Sequence, residues 1–182
     1  MTAPLSGLVM LLLLWASVRD LLYRKIGNRL VLVLAVLWLG EAGWLAMWDS
    51  AIAPQVLHHA LLSLPGAAAV LAVGFVLFRL GFVGAGDVKL VAVLCLWVGA
   101  PMQSAFLIVT SLAGGLLVLC MPLLRALESW LACLWWSWSQ RIPALHGISV
   151  PHCLSDSPAP GIPYAPAIAL GAAFTLNFPA HS

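Results

Sequence analysis

Charge is scarce in this chain: Asp, Glu, Lys and Arg make up 8% of its 182 residues. A water-facing domain covers itself with roughly 25% charged residues, so composition excludes a soluble globular fold. The net charge is only +2, and no Lys/Arg run is long enough to follow a phosphate backbone. A nucleic-acid partner is therefore not expected. Cysteine is also sparse. The four residues Cys95, Cys120, Cys133 and Cys153 form no Cys-x-x-Cys pair, which leaves a zinc knuckle or a thioredoxin-like redox motif without support. Cys95 and Cys120 lie in apolar runs and read as small buried hydrophobes. The first apolar run, from Pro4, has no basic stretch before it and no Ala-x-Ala-type site after it, and so reads as a retained helix. There is no internal repeat, low-complexity tail or separate soluble domain, so residues 1–182 are expected to form a single membrane-embedded domain.

Hydrophobic residues are abundant, at 63% of the chain, and they fall into blocks with almost no charge inside them. Lipid-embedded helices require such blocks, because a bilayer offers no water to unsatisfied backbone groups. Apolar length and flanking charge predict six spans, at about 4–18, 30–47, 56–78, 88–100, 103–124 and 162–178. Pro65 is a kink candidate in the third. The fourth reaches only about 20 Å at the helical rise. Either it begins before Asp87 or it crosses a thin or water-filled region. The segment 125–160 reads as an inside loop. Its first half, ESWLACLWWSWSQ, holds four of the nine tryptophans and suits an interfacial helix; its second half reads as irregular.

Placing the N-terminus outside puts Arg19, Arg24, Lys25, Arg29, Arg79, Lys89, Arg125 and Arg141, all eight basic residues, on one side. Basic residues accumulate on the cytoplasmic side during insertion, so this bias orients the chain. The expected fold is all-α: a polytopic bundle of about six transmembrane helices with the N-terminus outside.

That topology sorts the six acidic residues. Asp49 falls in an outside loop, Asp156 in the long inside loop, Glu128 at the head of the Trp-rich segment, and Glu41 in the outer half of the second span. Each has an exposure reading that needs no function. Asp20 and Asp87 differ, since both sit at the inner margin of hydrocarbon, where a carboxylate is costly unless paired, hydrated or functional. Two acids at one depth can share a proton, which is the working state of an aspartic peptidase: one carboxylate activates water while the other acid polarises the scissile carbonyl. The bland alternative pairs Asp20 with Arg24 and Asp87 with Lys89 or Arg79. The glycines of GFVGAGDVKL read either as room for a backbone to approach Asp87 closely or as a flexible connection alone. Their G-x-x-G-x-G spacing is not a dinucleotide fingerprint.

Here a resemblance becomes specific. Gly84-Ala85-Gly86-Asp87, followed by Lys89-Leu90, resembles the Gly-x-Gly-Asp motif of intramembrane aspartyl peptidases. The stretch Asp20 to Asn28 is similar to the D-x5-I-P-N context of the type IV prepilin peptidase family, with Gly27 replacing the usual proline. The stretch Ile162 to Gly171 resembles the closing signature of its small TadV/CpaA branch, which serves Flp-type pili of the tight-adherence system. The resemblance implies a six-helix enzyme that cuts the basic leader from prepilins and pseudopilins at the cytoplasmic face, without metal or organic cofactor. It implies Asp20 and Asp87 as catalytic aspartates, and Gly84, Gly86, Lys89 and Asn28 as motif or substrate-binding residues. Larger relatives also N-methylate the new terminus through an insertion with paired Cys-x-x-Cys motifs. This chain lacks that insertion, so peptidase activity without methylation is expected.

Other candidates are weaker. His146, His152 and Cys153 have irregular spacing for a metal site. His58 and His59 lie at the opposite end of the third span, and Ser111 lacks a Gly-x-Ser-Gly setting and a nearby histidine. Two further readings stay open: an archaeal preflagellin-type leader peptidase, and a non-enzymatic assembly factor or transporter. The residues do not fix an oligomeric state.

Overall fold

The computed structural model describes residues 3–23, 27–48, 53–139 and 162–177. Among them every regular element is a helix: α1 Ala3–Tyr23, α2 Asn28–Trp48, α3 Ala53–Arg79, α4 Ala85–Val98, a 3-10 turn Ala100–Met102, α5 Gln103–Ser139 and α6 Ala165–Asn177. The fold is all-α, as the composition requires. Four stretches are long and apolar enough to cross a membrane: Leu5–Tyr23, Asn28–Trp48, Ala53–Arg79 and Ala100–Leu123.

The helices α4 and α6 are shorter, with 14 and 13 residues, and they occupy the interior. Val88, Leu90, Ala92, Leu94, Cys95 and Trp97 are all buried, so α4 presents little surface to its surroundings and packs against α2, α3, α5 and α6. The helix α6 lies against both α5 and α1 and so joins the two ends of the chain. Leu13, Leu34, Leu90, Leu94, Phe106 and Ile168 are the largest apolar members of the fully buried core. The outer faces are just as apolar: Leu11, Leu32, Phe75, Leu112 and Leu119 stand largely exposed. A surface of that kind is stable only against lipid.

Two indoles tie α2 to α4. Trp38 Nε1 donates to the Leu96 carbonyl at 3.0 Å, and Trp97 Nε1 donates to the Leu34 carbonyl at 3.0 Å. Buried N–H groups in a dry interior need such partners. Gln103, at the start of α5, donates from Nε2 to the carbonyls of Ser63 and Cys95, which fixes the α4–α5 corner against α3. Small residues set the closest approaches. A Cβ on Gly74 would collide with Val88 across α3–α4, and one on Gly171 would collide with Thr110 across α5–α6.

Three expectations are adjusted. The fourth helix begins at Ala85, before Asp87, and ends at Val98, two residues short of the expected end, so its 14 residues still reach only about 20 Å. The fifth does not end near Leu124. One helix continues from Gln103 to Ser139, so the helix expected over the first half of 125–160 is continuous with α5 rather than a separate interfacial element. No glycine interrupts 125–139, and the only proline in α5, Pro122, is accommodated inside it. Cys95 is buried, but Cys120 is exposed on the outer face of α5. The helix α3 runs through Pro65 without interruption. The proposed irregular half of 125–160 falls outside the described residues, as do Asp49, Arg141, His146, His152, Cys153 and Asp156.

Candidate active site

Asp20 opens the last turn of α1, which runs past the expected end of the first span to Tyr23. It is 5% exposed. Burial of a carboxylate is costly without a donor, and one is supplied from far along the chain: the backbone N–H of Ala165 donates to Asp20 Oδ2 at 3.0 Å. Ala165 is the first residue of α6, so its N–H is one of the groups that a helix leaves unpaired at its start. Acidic oxygens suit that position because the end of the helix dipole there is positive. Asp20 is thus held by packing between α1 and α6 and by a hydrogen bond in the same direction.

Asp87 is in the first turn of α4, ahead of the apolar stretch that begins at Val88. It is half-buried. Gly84 precedes the helix as its N-cap, in an extended conformation. A Cβ at Gly84 would sit 2.8 Å from Asp87 Oδ2, so only glycine leaves the carboxyl room to fold back on its own helix start. A hydrogen bond from the Gly84 backbone reaches that carboxyl, the back-reaching half of a capping box. Burial first, and then the negative charge of Asp20, push the Asp87 carboxyl up to about 6, against the lowering effect of this hydrogen bond. The charge of Asp20 is therefore close enough to bear on Asp87.

The other motif residues gather at the same end. Lys89 Nζ donates to Asn28 Oδ1 at 3.2 Å, linking the start of α4 to the start of α2. Gly86 lies between Gly84 and Asp87 in the first turn of α4. Arg24, Lys25 and Ile26 of the first motif lie outside the described residues. Arg19 stacks over the Trp15 ring, 5.0 Å from its centroid. His59 lines a separate cavity with Glu41, Trp38 and Gln55, at the far end of α3 from Asp87.

Side chains not anticipated as neighbours of the acids complete the site. Tyr164, Ile168 and Ser111 share with Asp87 the wall of a cavity of about 770 Å³. The Tyr164 ring closes over Gly114, where a Cβ would be 3.2 Å away. The closing stretch Ile162 to Gly171 was legible as a signature, but the service of its backbone N–H to Asp20 was not, because a main-chain donor leaves no mark in side-chain identity.

Chemically, this is a pair of carboxyl groups from α1 and α4, one fixed by a helix N-terminus and one able to hold a proton near neutral pH. No curated protein and no solved structure matches the chain. The profile of the type IV leader peptidase family matches residues 7–119, which contain both Asp20 and Asp87, together with Gly84, Gly86, Lys89 and Asn28. By that match over more than half of its length, the chain belongs to the type IV leader peptidase family.

Proposed function

We propose that the protein is an aspartyl endopeptidase that removes the leader of Flp-type prepilins and pseudopilins at the cytoplasmic face of the inner membrane, with Asp20 and Asp87 as its catalytic pair. The observation that carries this reading is the placement of two partly or fully buried carboxyls near the end of α1 and at the start of α4, the first of them held by the N-terminus of α6. Family membership supports the leader peptidase activity. Arg19, Arg29, Arg79 and Lys89 lie toward the end of α1, the start of α2, the end of α3 and the start of α4, which supports the cytoplasmic orientation and six crossings, with the part of α4 from Val88 onward and α6 as short interior spans.

The roles follow from the surroundings. Asp20, whose oxygen receives the Ala165 N–H, acts as the carboxylate that takes a proton from the attacking water. Asp87, raised to about 6, holds the proton that polarises the scissile carbonyl. Hydroxide adds to the carbonyl carbon, the tetrahedral intermediate collapses, and the proton returned by the acids leaves with the new amine. Neither cofactor nor metal enters this scheme. Methylation is not part of it, because the chain carries no paired Cys-x-x-Cys insertion.

The test is co-expression with a Flp-type prepilin and mass measurement of the pilin N-terminus. The reading expects a product shortened by the leader and carrying an unmethylated amine. Recovery of only full-length prepilin with active membranes would refute it.

A further inference from the structure

The cavity that contains Asp87 extends well beyond the acids. It runs between α3 and α5, which scarcely touch one another and are bridged by α4 and α6. On α5 its wall extends from Leu107 to Val118, about 17 Å at the helical rise, or three turns of helix. Val73 is 60% exposed and Val118 40% exposed, so the cleft opens sideways onto the surface that faces lipid rather than onto water.

We infer that this α3–α5 groove is the dock for an apolar, membrane-embedded helix of the substrate on the far side of the scissile bond. The inference rests on the leader-peptidase reading and names a binding surface that the reading leaves open. Three features select this occupant. First, one end of the groove is Asp87 itself, so whatever lies in the groove is continuous with the cutting site. Second, the remaining walls are apolar, with Val73 and Leu77 on α3 and Val118 on α5, which repel a polar chain and accept a hydrocarbon surface. Third, the α5 wall facing α3 is stripped of bulk at Ser111 and Gly115, one turn apart. Small residues at such spacing let another helix backbone come close in a bilayer, where association depends on packing and polar contacts rather than on escape from water. The Ser111 hydroxyl also offers the incoming helix a hydrogen bond. The volume fits the same occupant. About 770 Å³ spread over about 17 Å is roughly half the cross-section of a helix 10 Å across, so the guest is half sunk and half in lipid.

Gly115 provides the probe, because a Cβ built there meets nothing within 4 Å. A side chain at this position enters the groove without displacing the bundle. A photoreactive benzophenone side chain is introduced in place of Gly115, or in place of Leu112, which is 70% exposed and lies outside the groove. The full-length enzyme, in membranes and carrying Asp87→Asn so that substrate stays uncut, is irradiated with a prepilin containing its leader and apolar segment. Position 115 is expected to give an adduct on the apolar segment, at least tenfold above position 112. In the active enzyme, Gly115→Trp is expected to raise KM for the same prepilin at least tenfold, with kcat within about threefold. Adducts to lipid alone, equal labelling at 112 and 115, or an unchanged KM would overturn the assignment. Cleavage by the unmodified enzyme separates the two levels. If it cuts and position 115 finds no substrate, only the dock falls; if it does not cut, the peptidase reading falls and takes the dock with it.

Discussion

Asp20 Oδ2 accepts a hydrogen bond from the Ala165 backbone N–H at 3.0 Å, joining α1 to the start of α6 across 145 residues of chain. A side chain that the first motif makes conspicuous is thereby oriented by a main-chain group outside the 7–119 stretch matched by the family. Part of the site geometry therefore depends on α6.

Ala165→Pro tests that dependence directly. Proline at the first position of a helix costs little, because the N–H it lacks is one that the helix does not use. The substitution removes the donor to Asp20 and leaves α6 in place. Hydrogen bonds to charged groups are worth about 1.5–3 kcal/mol, so kcat/KM is expected to fall about ten- to a hundredfold. Ala165→Gly keeps the N–H and should retain most activity. Leader-cleavage kinetics on both variants check this.

The glycine before Asp87 has a specific steric role. Gly84→Ala brings a methyl to 2.8 Å from Asp87 Oδ2, which must then swing away or push the helix start aside. Cleavage is expected to drop at least tenfold while the helical circular-dichroism signal stays unchanged. Gly115→Ala, whose added methyl meets nothing within 4 Å, should preserve the same signal.

The elevated Asp87 carboxyl predicts a pH dependence with a definite sign. Because it titrates at about 6 rather than 3.8, the protonated form is favoured by folding. Stability from this group is complete below 3.8 and is lost as pH rises through about 6. Asp87→Asn should therefore melt above the wild type at pH 7.5, with the gap closing as pH falls below about 6. In the active enzyme, cleavage should decline as pH rises past the same value, since the proton on Asp87 is then lost. Thermal melts and rates across pH 4.5–8 measure both.

Much of this arrangement was legible in the sequence, for identifiable reasons. Scarce charge and long apolar blocks leave an all-helical membrane bundle as the available fold, and the acids at 20 and 87 stand out because carboxylates are rare at the edge of such blocks. Asn28 and Lys89 were marked as motif residues, and they meet at 3.2 Å. What was not legible depends on packing. The continuation of α5 to Ser139 was obscured because a cluster of tryptophans reads equally as an interfacial segment or as one face of a longer helix. The groove was invisible because it lies between helices: Ser111 and Gly115 carry no signal of their own until α3 stands opposite them.

The α2–α4 contact makes a prediction about stability rather than chemistry. Trp97→Phe removes the indole N–H that reaches the Leu34 carbonyl at 3.0 Å and keeps most of the ring volume. A loss of about 1 kcal/mol is expected, seen as a lower melting temperature in detergent, with the cleavage rate of the folded enzyme little changed.

The most direct measurement is the cleavage rate of a purified Flp-type prepilin by Asp20→Asn and by Asp87→Asn, each assayed beside its thermal melt. A paired-acid mechanism predicts that either substitution alone lowers kcat by at least about a thousandfold, in a protein that remains folded. A folded variant of either kind that still releases the leader at a tenth of the wild-type rate or better would contradict it.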